Sequence, residues 1–161
     1  MSIEKVREYF RGFGIEERIL EFKVSSATVE LAAEALGCEG ARIAKTLSFK
    51  LNDDKPILII TAGDAKVDNS KFKQQFGCKA KMLAPQEVEE LIGHAIGGVC
   101  PFGIKEDVKV YLDVSLKRFA EFFPACGSSN SAIAMNAEQL EQYAQNVVGW
   151  YDLCKGWKDE E

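Results

Sequence analysis

The residues of this chain best suited to chemistry are one lysine and one loop. Lys45 stands in Ile43-Ala44-Lys45-Thr46-Leu47, at the entrance of an apolar stretch. A lysine held there on a rigid element can set a point charge against a phosphate, a carboxylate or an ester. Taken alone, a lysine snorkelling from a strand edge is the plainer reading. The loop is residues 93–103, Gly-His-Ala-Ile-Gly-Gly-Val-Cys-Pro-Phe-Gly. It holds four glycines, one proline, one of the five cysteines and the only histidine. Gly97, Gly98, Pro101 and Gly103 point to a shaped, exposed backbone surface that can present N–H and C=O groups to a ligand. An ordinary tight connection is the alternative. Cys100 follows His94 by six residues, which raises a thiol nucleophile with Asp113 available as a third member. Nothing in the sequence orients such a group, and small-residue packing accounts for Cys100 more simply.

Composition narrows the chemistry further. A length of 161 residues with 47% apolar and 28% charged residues fits one soluble globular domain. No apolar run approaches the roughly 18 residues of a membrane span, and the charged start lacks a signal-peptide core. A cytoplasmic enzyme or binding protein is therefore expected, with no membrane partner. The five cysteines are odd in number, widely spaced and without a Cys-x-x-Cys pair. That argues against a disulfide framework and a structural zinc site, and a single histidine excludes a histidine-rich metal centre. Walker, Gly-x-Ser-x-Gly and Gly-x-Gly-x-x-Gly patterns are missing, so no nucleotide cofactor is expected. Net charge is −5, yet five lysines against two aspartates give residues 64–81 a local +3. Such a face can meet phosphates, although on charge alone a solvated helix face is the plainer reading.

The elements that must position these residues follow from periodicity and punctuation. Residues 2–12 and residues 25–36 read as helices, the second capped by Ser25–Ser26 and burying Val29, Leu31, Ala32 and Ala35. Residues 19–24 read as a short strand. Residues 41–51 and 56–61 read as a hairpin whose second strand is buried on both faces. A helix over 69–76, a strand over 79–83, and a helix from Pro85 to Ile92 closed by Gly93 come next. Residues 108–112 alternate as a strand, and residues 121–125 and 131–135 flank a small-residue turn. Asn136 and Gln139 open a last helix to about residue 145. The end, from Trp150, docks by its tryptophans or frays. Strands and helices intermix without regular alternation, so an α/β (α+β) fold with a mixed, mostly antiparallel sheet is expected.

In combination the motifs say more. Ala44-Lys45-Thr46-Leu47, Ala62-Gly63-Asp64, the segment Gly97 to Gly103, and Gly127 before an apolar strand resemble, in order, the YbaK family. These are free-standing aminoacyl-tRNA deacylases related to the editing domain of bacterial prolyl-tRNA synthetase. The resemblance runs from about residue 25 to about residue 143. It implies a single deacylase domain over residues 1–161, with a core at about 25–145 and a sheet curling toward a barrel. It also implies one pocket for the aminoacyl-adenosine end of tRNA, no cofactor and no metal.

By the same resemblance Lys45 is the essential side chain, and Gly97 and Pro101 form the Gly-x-x-x-Pro element that polarises the ester or positions water. Thr46, Gly63, Asp64, His94, Gly98, Val99, Cys100, Phe102, Gly103, Gly127 and Ser128 are implied substrate-binding positions. Cys100 stands where the family often has Ser, and His94 where it often has an aromatic. The implied function is trans-editing, that is, hydrolysis of a small amino acid from a mischarged tRNA, with an aminoacyl-tRNA synthetase as a further partner. A non-catalytic module that binds tRNA or a synthetase, and a Cys100-dependent hydrolase, are the alternatives.

Overall fold

The structure is a computed structural model that describes residues 2–157. In chain order it has α1 (Ser2–Arg11), β1 (Leu20–Glu21), α2 (Val29–Leu36), β2 (Ile43–Lys50), β3 (Pro56–Ala62), β4 (Lys66–Val67) and α3 (Asn69–Phe76). There follow α4 (Pro85–Ile92), β5 (Lys109–Asp113), β6 (Phe123–Pro124), β7 (Ser131–Ala132), α5 (Ala137–Tyr143), β8 (Val147–Tyr151) and β9 (Cys154–Lys155).

Local chemistry sets most boundaries. Asp68 caps α3 by accepting from the Ser70 and Lys71 amides, and Gly77 closes it in the left-handed region. Asn136 and Gln139 form the expected capping box on α5. The cap of α2, however, is Thr28, whose hydroxyl accepts from the Leu31 amide at 3.1 Å. Ser25–Ser26 do not serve, because the Ser26 amide is tied to the Ser129 carbonyl at 2.6 Å. Of the face expected to be buried in α2, only Ala32 is buried, and Leu31 is 42% exposed.

The central sheet has the order β6-β2-β3-β5-β8 and is an open, curled half-barrel. β2 and β3 are the expected hairpin, with Lys45 opposite Thr61. The other three junctions, β2–β6, β3–β5 and β5–β8, are parallel. The sheet is thus mixed as expected, but antiparallel pairing does not dominate it. The reason lies in the connections: α3 and α4 carry the chain from β3 to β5, and α5 carries it from β5 to β8. Helical crossovers return strands in the same direction. β3 is buried along its whole length because strands flank it and both faces are covered. Each of Ile57, Leu58, Ile59 and Ile60 at 0–1% exposure contributes about 1.5–3 kcal/mol of transfer free energy.

Three expectations are corrected. Residues 79–83 form no strand; only Met82 bridges to Phe49, since the chain turns into α4 at Ala84. The strands expected over 19–24, 121–125 and 131–135 shrink to two-residue pairings, with an isolated bridge from Phe122 to Met135. The end docks by Trp150 and Trp157 as expected, and what changes is that residues 147–151 also join the sheet as an edge strand; residues 158–161 lie outside the described residues. Val147, Val148, Trp150 and Tyr151 carry strand preference that the glycine between them disguises.

Asp113 fixes that last strand. Its buried carboxylate accepts from the Ser115 amide at 2.9 Å and from the Leu153 amide at 2.8 Å, joining the end of β5 to the β8–β9 turn. Asp113→Ala strands two buried donors, so it is expected to cost roughly 2–4 kcal/mol of unfolding free energy in urea titration. Asp113→Asn, which keeps an acceptor, is expected to cost less.

Candidate functional site

The site begins with an interruption along one edge of β2. At its start β2 is covered by β6, through Ile43 and Ala44 only. At its end the Leu83 amide donates to the Ser48 carbonyl at 3.2 Å, and the Lys50 amide donates to the Lys81 carbonyl at 2.9 Å. Those two bonds point the even-numbered backbone groups of β2 away from β3, since antiparallel pairing alternates inward and outward groups. Thr46 therefore directs its N–H and C=O into the gap between β6 and the segment around Met82. A cavity of about 350 Å³ opens there. Lys45, Thr46, Leu47 and Ser48 form its floor, Thr28, Val29 and Ala32 of α2 one wall, and Ile96, Gly97 and Val99 another. Phe123, Ala125 and Ser131 complete the β6–β7 side.

The loop wall is held by backbone contact. A Cβ on Gly98 would lie 2.4 Å from the Gly127 carbonyl carbon and 2.5 Å from the Ser128 nitrogen, so the two glycine turns touch main chain to main chain. Behind the loop, Phe102 packs on Phe10 of α1 with ring centroids 4.7 Å apart. Lys5 donates to the Gly93 carbonyl at 3.2 Å. His94 is fully buried and its Nε2 donates to the Phe102 carbonyl at 2.7 Å. Desolvation lowers its pKa, so it stays neutral. The Cys100 thiol lies 3.6 Å from both His94 Nε2 and the Phe102 carbonyl, and burial pushes its pKa up to about 12. With the His94 Nε2 proton engaged and the thiol buried away from the cavity, the pair lacks both the base and the access that a thiol nucleophile needs.

Lys45 is the charged group on the floor. Its ammonium has no ion pair or hydrogen bond among the described residues. Desolvation lowers its pKa, opposed by Cys154, Asp64 and Glu30 and reinforced by Lys66. Asp64 cannot act as a full counter-ion, because Arg118 holds it through two bonds of 2.5 and 3.0 Å. On the other face of the strand, the Thr46 hydroxyl is buried without a partner. These groups offer a fixed cation, an unpaired strand edge and free hydroxyls around an apolar space, which suits a small polar ligand with an anionic neighbour.

Of the residues singled out in the sequence, Lys45, Thr46, Gly97 and Val99 line the cavity. Gly98, Cys100, Pro101, Phe102, Gly127 and His94 are buried behind the wall, and Ser128 hydrogen-bonds to Asn130 and Ser131. The Pro101 carbonyl accepts from the Gln145 amide at 2.8 Å, which anchors the loop from behind. Gly103 abuts the Lys5 backbone, while Gly63 packs on Gly40. Asp64 reaches the site only through its charge. Sequence reasoning missed the first turn of α2, Ser48, Ile96, and the Met82–Leu83 edge. The Thr28 cap was the one local signal for the first of these.

Residues 24–143 match the family model of the aminoacyl-tRNA editing domain. The chain is 54% identical over 158 residues to the uncharacterized protein YwhH of Bacillus subtilis, covering 98% of this chain and all of that one. It is 33% identical over 95 residues to the proline–tRNA ligase of Limosilactobacillus fermentum, covering 56% of this chain and 17% of the ligase. It thus spans about a sixth of that enzyme's length. A solved structure provisionally designated a trans-editing enzyme for prolyl tRNA synthetase superposes with a TM-score of 0.83 at 29% identity, covering 96% of this chain and 98% of the other. No described helix is long and apolar enough to cross a membrane.

Two outcomes follow from the geometry. Gly98→Ala is expected to destabilise the fold by about 1–3 kcal/mol in thermal or urea denaturation, because the methyl group meets backbone that cannot rotate away. Lys45→Met is expected to raise stability near neutral pH, since the desolvation of a charge is removed. That gain is complete below the folded pKa of Lys45 and vanishes as pH rises to the ordinary lysine value of 10.5. Denaturation midpoints measured across pH 7–11 check the sign.

Proposed function

The chain belongs to the aminoacyl-tRNA editing domain family, and from that footing we propose that it hydrolyses the ester of mischarged aminoacyl-tRNA in trans. The observation that carries the reading is Lys45, unpaired on the floor of a 350 Å³ cavity against the Gly97 wall. That volume suits the aminoacyl group with part of its adenosine, so the rest of the tRNA lies outside. In this reading residues 1–161 act as one deacylase domain in the cytoplasm, and a prolyl-tRNA synthetase is the natural companion. The likeness to that ligase's domain and to the trans-editing structure supports it.

An aminoacyl ester is already activated, so catalysis requires positioning and donors for the developing oxyanion more than a nucleophilic side chain. Lys45 sets its ammonium against the terminal nucleotide or the ester oxygens. The Thr46 backbone edge and the Ser48 hydroxyl bind the amino acid, and Val29, Ile43, Leu47 and Val88 limit its size. Gly97 and Val99 close over the ester, with Pro101 shaping that wall from behind. A water oxygen attacks the carbonyl carbon, the carbon–oxygen bond to the ribose breaks, and the ribose oxygen takes up a proton. The products are free amino acid and uncharged tRNA. The substrate's α-amino or vicinal hydroxyl group relays the proton from the attacking water to the departing ribose oxygen. An apolar wall discriminates by only about 1–3 kcal/mol per methylene, so a small amino acid is the fitting substrate.

A panel of mischarged tRNAs incubated with the protein tests this. On the best substrate Lys45→Ala is expected to lower kcat/KM by roughly 100-fold or more, the usual loss for one preorganised electrostatic group. Unchanged hydrolysis refutes the role of Lys45. Binding of tRNA without turnover on any member of the panel selects the non-catalytic module instead, and full activity in Cys100→Ser disposes of the thiol route.

A further inference from the structure

A second depression lies at the far end of β2. Its volume is about 510 Å³, and Lys50, Lys73, Lys79 and Lys81 line it together with Asn52 and Asp54. Lys50 is held by Glu87 at 2.5 Å. The ammonium groups of Lys73, Lys79 and Lys81 have no ion pair or hydrogen bond among the described residues, and all three residues are exposed. Three lysines without a bonded partner thus share one hollow with Asp54, on a chain whose net charge is −5. Four lysines against Asp54, with Glu87 on Lys50, leave the lining net positive, which suits phosphate groups.

The basin is joined to the cavity twice. Along β2, Lys45 to Ser48 face the cavity and Lys50 faces the basin, on the order of 17 Å from Lys45 at strand rise. Along the neighbouring segment, Lys81 lines the basin while Met82 and Leu83 line the cavity. Met82 is 59% exposed and stands between the two as an apolar surface on which a base can rest. A chain with regularly spaced phosphates and flat bases, its end in the cavity, would run along this line.

We propose that the basin is a phosphate-binding seat for RNA, gripping the backbone next to the single-stranded acceptor end while the aminoacyl group occupies the cavity. This rests on the tRNA reading given above, and deepens it. It also divides the basic stretch of residues 64–81: Lys73, Lys79 and Lys81 serve the RNA, whereas Lys71 is spent on Asp152 and the Cys154 carbonyl.

The test is a charge reversal, Lys73→Glu with Lys79→Glu and Lys81→Glu, alongside a Gln version and a charge-matched control, Lys23→Glu with Lys105→Glu and Lys117→Glu. Binding of an uncharged tRNA transcript is measured at salt from about 50 to 200 mM. The basin's three contacts should make wild-type affinity fall by a further roughly 20–40-fold across that range relative to the Gln variant, flattening the variant's salt slope by about two to three units. Deacylation of full tRNA should drop with affinity, while hydrolysis of an aminoacyl-adenosine ester that carries no phosphate stays at the wild-type rate. An unchanged salt slope in the basin variants overturns the proposal. So does an equal loss in the charge-matched control, and so does a matching loss on the phosphate-free ester. If the wild type hydrolyses nothing, the deacylase reading fails, but the binding measurement still decides the basin.

Discussion

Everything at the site depends on a strand edge that is left unpaired where it could have been covered. β2 has partners at both ends, β6 at Ile43–Ala44 and the Lys81–Leu83 segment at Ser48–Lys50, and the gap between them falls on Thr46. Continuous pairing would have filled the cavity with backbone. The gap instead leaves a rigid N–H and C=O presented from a strand whose other edge is locked to β3 over seven residue pairs. Open edges invite association, and this one is recessed between two covered stretches under the loop of residues 93–103. A groove of that kind admits a small molecule's polar backbone and resists another protein's strand.

The remaining scaffold keeps the gap open at a fixed width. On one side the glycine loop meets the Gly127 turn through main-chain contact, and the Phe10–Phe102 pair backs it. His94 and Cys100 belong to this backing. Their hydrogen bonds to the Phe102 carbonyl satisfy a buried polar atom in an otherwise apolar layer, which is a structural service. On the other face, the aromatic succession Phe49, Phe72, Phe76, Tyr111 and Tyr151 fastens α3 to the sheet with centroid separations of 4.5–5.3 Å. α3 thereby holds Lys73 at the basin and Lys71 against Asp152. One helix thus ties the far end of β2, at Phe49, to the β8–β9 turn.

What could be seen in the sequence was what local chemistry specifies. Gly93 ends a helix, Asn136 starts one, and the run from Ile57 to Ile60 announces a strand covered on both faces. Lys45 at the head of β2 and Gly97 in the loop were legible as neighbours only through the family resemblance, since 52 positions separate them. Thr28 could signal where α2 starts, but nothing local says which loop its first turn will face. Strand direction was misjudged for the same reason. Whether β5 returns parallel to β3 depends on where α3 and α4 pack, and their amphipathic patterns do not carry that information. Residues 147–151 were lost to Gly149, which weakens the strand signal without preventing the pairing.

The lysine on the floor is best understood through what it lacks. Half-buried cations in stable proteins usually have a carboxylate nearby, and Asp64 is in the right region to serve. Arg118 takes that carboxylate in a two-bond fork, a geometry an ammonium cannot match. Lys66 adds a repulsive charge, and the oxygens of Glu30 act only at a distance. The fold therefore leaves Lys45 desolvated in part and without a fixed anion, which lowers its pKa. A residue selected for stability alone would be an apolar one at this position. A lysine set against its own desolvation marks a position shaped by something other than stability.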